Sequence, residues 1–132
     1  MKNEIKLTLP GSIRSKKNSK RIFARGNFKT VLPSKAYEIW EKSVRDSMIG
    51  SPLIQEYGTP RIKFPLIIPI AINAQIYFSG QQPDLSGCLE SIGDCLEGYV
   101  WENDKQIVSW DGSRLHHDLK NPRTELLIRW EL

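Results

Sequence analysis

Apolar and polar residues alternate along NEIKLTLP. Ile5, Leu7 and Leu9 fall on one side and Glu4, Lys6 and Thr8 on the other, which predicts a half-buried strand ended by Pro10 and Gly11. GSIRSKKNSKRIFARGN follows, rich in Lys, Arg, Ser, Asn and Gly, with Ile13, Ile22 and Phe23 its only large apolar residues; it reads as a long surface loop over 11–29. FKTVL adds a short strand. Ser34 then offers an N-cap to a helix in which Tyr37, Trp40, Val44 and Met48 recur at helical spacing, with Glu38, Glu41, Lys42 and Arg45 on the wet face and Gly50 and Pro52 as the stop. That spacing assigns Tyr37 and Trp40 to packing.

RIKFPLIIPIAINAQIYFSG is the most apolar stretch. Pro65 and Pro69 interrupt it, which fits an edge strand or a bend, and from Ala71 onward Ile72, Ala74, Ile76 and Phe78 alternate with Asn73, Gln75, Tyr77 and Ser79. After the turn at Gly80–Pro83, Leu85 to Gly98 forms a second amphipathic helix. Leu85, Cys88, Leu89, Ile92, Cys95 and Leu96 share one apolar arc, and Glu90, Asp94 and Glu97 lie opposite it. YVWENDKQIVSW reads as a turn feeding a strand and Arg114 to Pro122 as a loop. RTELLIRWEL is a closing strand, with Leu126, Ile128, Trp130 and Leu132 on one face. This order predicts a single α+β domain over 1–132, with a mixed β-sheet and two main helices.

Composition narrows the class. At 132 residues with 39% apolar and 26% charged side chains, the chain is neither mainly disordered nor carries the ~18 consecutive apolar residues of a membrane span. MKNEIKLTLPGS lacks the long apolar core of a secretory signal, so a cytoplasmic protein is expected. Cys88 and Cys95, seven apart on one helix, stand roughly 10 Å from each other, too far for a disulfide, and read as buried thiols.

The net charge of +4 conceals an asymmetry. Residues 5–37 hold nine Lys or Arg and no acid, whereas residues 38–132 hold nine Lys or Arg against fourteen Asp or Glu. A basic end of this kind points to a nucleic-acid partner, or else to a solvated tail.

Candidate chemistry gathers in residues 84–104, which contain six acids (Asp84, Glu90, Asp94, Glu97, Glu102 and Asp104) and no base. Asp84 stands where strand gives way to helix, Glu90 and Asp94 one helical turn apart, and Asp104 at the head of the next strand. Carboxylates brought together repel without a cation, and Mg²⁺ is the usual solution because it takes oxygen ligands and recruits substrate phosphates. Each acid has a plain structural reading too: Asp84 an N-cap, Glu90 and Asp94 a solvated face, Asp104 a turn residue. His116 and His117 lack a second ligand cluster, and both cysteines face the apolar side, where a thiolate is disfavoured.

PDLSGCLESIGDCLEGYVWENDKQI resembles the RusA family of Holliday junction resolvases, small homodimeric Mg²⁺-dependent endonucleases. Asp84-Leu85 matches the family's opening acid, Asp94 its later helix acid, Leu96, Gly98 and Trp101 the break that follows, and Asp104, Lys105, Gln106 and Ile107 the end of its closing motif. Ser86 stands at the family's second acid, Gly87 at its Asn, Glu90 at its helix Lys, and Asn103 at the first Asp of the closing pair.

The resemblance implies a RusA-like fold and hydrolysis of a phosphodiester in branched DNA, such as a four-way junction, by metal-activated water. It implies Mg²⁺ held by Asp84, Asp104, Glu90 in place of the missing acid, and Asp94. Lys105 or a lysine of the basic loop replaces the lost cation, and Arg14, Lys16, Lys17, Lys20, Arg21 and Arg25 neutralise backbone phosphates. A RusA-like DNA-binding protein without turnover, or a nuclease for other branched DNA, is the alternative.

Overall fold

A computed structural model of the chain describes residues 2–15, 21–25, 28–32, 34–48 and 64–131; within 21–32 it describes the backbone alone. The strand at Lys2–Pro10 (β1) runs antiparallel to Arg123–Glu131 (β7), with Ile5 opposite Ile128 and Leu7 opposite Leu126. Ile70–Phe78 (β4) lies on the other side of β7, also antiparallel, and sets Ile72 against Ile128 and Ala74 against Leu126. The alternation seen in the sequence thus puts one apolar row of each strand on a common face. Ile70, Ile72, Ala74, Ile76 and Phe78 are all buried, as are Leu126, Ile128 and Trp130.

Ile107–Ser109 (β5) and Arg114–His117 (β6) share the remaining edge of β4, both parallel to it. Where the chain leaves that edge between them, the Ala74 amide donates to Ser113 Oγ at 3.0 Å instead of to a strand carbonyl. The result is a mixed five-stranded sheet. A parallel pair needs a crossover, and the helix Leu85–Cys95 (α2) supplies it between β4 and β5. The other helix, Lys35–Met48 (α1), buries Tyr37, Trp40 and Val44 in the same core. Ser34 caps it, its Oγ accepting from the Tyr37 amide at 3.1 Å. This is the α+β fold expected. Among the described residues no helix is long and apolar enough to cross a membrane.

Several local expectations change. The basic stretch 11–29 is not one surface loop. Its first part, Gly11–Ser15, packs inward with Ile13 only 1% exposed, and further on Arg21–Arg25 (β2) and Phe28–Leu32 (β3) form a two-stranded antiparallel sheet of their own. A single Ile among polar residues shows no period, so nothing local marks Ile13 as core. Arg114–His117 is a strand, not a loop; it is short and paired on one side only, which leaves little alternation to read. Pro69 ends a bend, and β4 begins at the next residue as an interior strand, not an edge. The helix stop at Gly50 and Pro52 and the inward placing of Leu132 lie outside the described residues.

Candidate metal centre

Among the described residues, the carboxyl half of α2 and the turns after it gather a group of three carboxylates. Asp94, in the last turn of α2, Glu97, just past its end, and Asp104 each direct a carboxylate oxygen to one place, and the three oxygens lie within 4.8 Å of one another. Asp94 and Glu97 are half-buried and Asp104 is exposed.

Local chemistry explains why they meet. Gly98, at φ +86°, takes a left-handed conformation that other residues avoid, and its amide donates to Trp101 O at 2.7 Å, so the chain reverses immediately after Glu97. Trp101 is fully buried, and its indole N–H donates back to Gly93 O at 3.1 Å. The chain then enters a short 3-10 turn at Asp104–Gln106, capped reciprocally: Asn103 Oδ1 accepts from the Lys105 amide at 2.9 Å, and Gln106 Oε1 from the Asn103 amide at 2.7 Å. The same Gln106 donates through Nε2 to Leu66 O and Ile68 O at 2.7 and 3.0 Å, pinning the turn to the bend before β4. Gly93 completes the arrangement. A Cβ there would stand 3.7 Å from Asp104 Cβ, an ordinary packing distance, so Asp104 lies directly against this face of the helix.

α1 holds this helix end from behind. Arg45 Nε donates to Cys95 O at 3.2 Å, its guanidinium sits 5.1 Å from the Tyr99 ring centroid, and Glu41 Oε1 accepts from Arg45 at 3.2 Å. Glu41 also accepts from the Tyr37 hydroxyl at 2.5 Å; burial, and then that carboxylate, push the Tyr37 pKa well above its ordinary value. Burial likewise pushes both thiols, Cys88 and Cys95, up to about 12, as expected for inert core cysteines.

Of the four acids expected to share one ion, the structure brings together two, Asp94 and Asp104. Glu97 joins them. Asp84 stands elsewhere: it is the N-cap of α2, its Oδ2 accepting from the Gly87 amide at 3.3 Å and from Ser86 Oγ at 2.9 Å. The parallel crossover is the reason. Ile107 pairs with Ile70, the first residue of β4, so Asp104 returns at the start of that strand, whereas Asp84 follows its end. Along α2 alone, Asp84 and Asp94 are about 15 Å apart. Glu90 is exposed one turn before Asp94 and is not one of the three convergent carboxylates. Lys105 is exposed beside Asp104 in the 3-10 turn.

Of the basic residues, Arg14 is exposed at the end of the inward-packed segment. Lys16, Lys17 and Lys20 lie outside the described residues, and of Arg21 and Arg25 only the β2 backbone is described. His116 lies in β6, its ring stacked on Tyr77 with centroids 4.6 Å apart and its Nε2 2.7 Å from Gln75 Oε1; it is far from an idle surface group. Gln75 Nε2 donates to Asn73 Oδ1 at 2.6 Å and Gly112 O at 2.8 Å, which leaves Oε1 to accept and puts the shared proton on His116 Nε2.

The donor set of the three-carboxylate group is all hard oxygen, half open to water. That suits a hard cation that takes oxygen ligands and water, and not a metal that prefers thiolate or imidazole ligands. No protein-family model matches the chain, and no curated protein matches it.

Proposed function

We propose that this protein is a Mg²⁺-dependent, structure-selective endodeoxyribonuclease acting on branched DNA, with Asp94, Glu97 and Asp104 as the metal ligands. The observation that carries the reading is the convergence of those three carboxylates from a helix end, a turn and a 3-10 turn. Bound there, Mg²⁺ would supply an activated water and neutralise charge on a phosphodiester. The chain's own residues do the rest. The three acids hold the ion, Lys105 adds a cation beside Asp104, and Arg14 begins the basic stretch that neutralises backbone phosphates without reading sequence. The resemblance of Asp94, Gly98, Trp101 and Asp104–Ile107 to the RusA pattern supports a four-way junction as the substrate. Symmetric incision of such a junction calls for a two-fold homodimer.

A second reading, a DNA-binding protein without turnover, draws support from Asp84. The opening acid of the pattern is engaged as a helix cap at the far end of α2 from the other acids. Incubation of the purified protein with a synthetic four-way junction, a flap and a linear duplex, in Mg²⁺ or EDTA, decides between them. Paired, metal-dependent nicks in the junction are expected. Binding without cutting selects the second reading, and cutting of flaps alone changes the substrate class.

A further inference from the structure

β1 lies at the edge of the sheet with few of the features that keep such edges apart. It pairs with β7 on one side, and among the described residues no strand pairs with the other. A free edge presents a row of backbone N–H and C=O groups, which proteins guard with short strands, bulges, prolines or charged side chains. β1 runs for nine residues in unbroken register with β7, and its one proline, Pro10, stands at the very end. On its core-facing row Ile5 and Leu9 are buried, whereas Leu7 between them is only half-buried. The guard that remains is charge: Glu4 and Lys6 are both exposed on the solvent-facing row.

Those two charges are spaced so that the strand fits itself. In an antiparallel pair, side chains directly opposite each other stand about 4.5–5.5 Å apart at Cβ, within reach of an ion pair. Two copies of β1 that meet antiparallel with Ile5 opposite the partner's Ile5 set Glu4 opposite the partner's Lys6, and Lys6 opposite the partner's Glu4. A slide by two residues is the smallest that keeps the same row facing the core. In one direction it sets Glu4 against the partner's Glu4, and in the other Lys6 against the partner's Lys6. One register therefore attracts, and its neighbours on both sides repel. The attractive register also lays the partner's Asn3 beside Leu7 and covers its open flank.

We propose that β1 is the self-association surface of this protein: a second copy of the chain adds antiparallel to its free edge, with Ile5 on the two-fold axis and Glu4 paired with the partner's Lys6. Two five-stranded sheets then become one continuous sheet. The axis is perpendicular to that sheet, so α1 and α2 of both copies cover the same face. The function proposed above calls for a two-fold dimer and names no surface for it; the pairing of β1 rests on the strand itself and stands or falls separately.

Sedimentation velocity of the full-length protein over a concentration series tests this, with circular dichroism to show that each variant is folded. The unaltered chain is expected to sediment as a dimer. Lys6→Glu sets acids opposite acids and Glu4→Lys sets cations opposite cations, so each alone is expected to weaken self-association about tenfold or more. Mixed in equal amounts, the two variants regain complementary charges across the axis and are expected to form a heterodimer nearly as tight as the unaltered dimer. A second measurement needs no substitution: carbodiimide treatment of mixed isotopically light and heavy unaltered chains is expected to join Glu4 of one to Lys6 of the other. A monomer at every concentration, dimers indifferent to both single reversals, variants that dissociate and do not recombine, or absence of the mixed cross-link overturns the inference. A monomer that still makes paired nicks in a junction leaves the proposed function standing, and a β1-paired dimer that cuts no DNA leaves this inference standing.

Discussion

The Trp101 indole N–H and the Gly93 carbonyl are joined by a buried 3.1 Å hydrogen bond that ties the turn after α2 to the last turn of the helix itself. Everything between these two residues, Asp94 and Glu97 included, is closed into a small loop by that bond. Replacing Trp101 by Phe keeps most of the apolar volume and removes the donor. The expected result is a loss of about 1–2 kcal/mol of stability in denaturant unfolding, with a weaker melting shift on adding Mg²⁺. An unchanged Mg²⁺ response would show that the loop holds its shape without the indole.

The carboxylates separate by position. Asp94→Asn, Glu97→Gln and Asp104→Asn each remove one anionic oxygen donor from the group, so each is expected to reduce or abolish the rise in melting temperature with Mg²⁺. Asp84→Asn is expected to leave that rise unchanged, since Asn caps a helix about as well as Asp, while Asp84→Ala costs about 1 kcal/mol. A Mg²⁺ response lost in Asp84→Asn would return that residue to the metal site.

Thr124 is completely buried in β7, and its hydroxyl has no hydrogen-bond partner among the described residues. Valine has nearly the same shape and nothing to leave unsatisfied. Thr124→Val is therefore expected to stabilise the fold by about 1 kcal/mol, read as an upward shift of the denaturant midpoint at constant slope.

The buried thiols set an alkaline limit. Burial raises Cys88 and Cys95 from 9.0 to about 12, so the folded state keeps protons that the unfolded chain gives up first. Stability from this source is whole below pH 9 and is lost as pH rises from about 9 towards 12. Urea midpoints across that range should fall less steeply in Cys88→Ala and Cys95→Ala than in the unaltered protein. At pH 8, a thiol-modifying disulfide reagent should react only on unfolding.

The layers of the fold were legible because their periods are strong: β1, β4 and β7 alternate cleanly, and both helices carry an apolar arc with a cap or a turn at hand. Ile13 was not, since one apolar residue among lysines and serines makes no pattern until Ser34 and Ser91 reach across from distant elements. The candidate site was half legible. Asp94 and Asp104 stand out by spacing, whereas Glu97 reads only as part of the wet face of a helix running to Gly98; the earlier helix end at Cys95 and the turn at Gly98 are what set it beside them. Asp84 misleads for a topological reason: a strand–helix–strand unit that pairs in parallel brings the chain back to the far end of the first strand, so residues flanking the helix part company.

The length of α2 also has an electrostatic consequence. Its capped beginning and its three-acid end are separated by about 15 Å, nearly twice the ~8 Å Debye length at physiological ionic strength. Counter-ions in solution therefore insulate one end from the other. Charge introduced beside Asp84, for example an aspartate in place of Ser86, would create a separate local field and leave the affinity of the far end almost untouched.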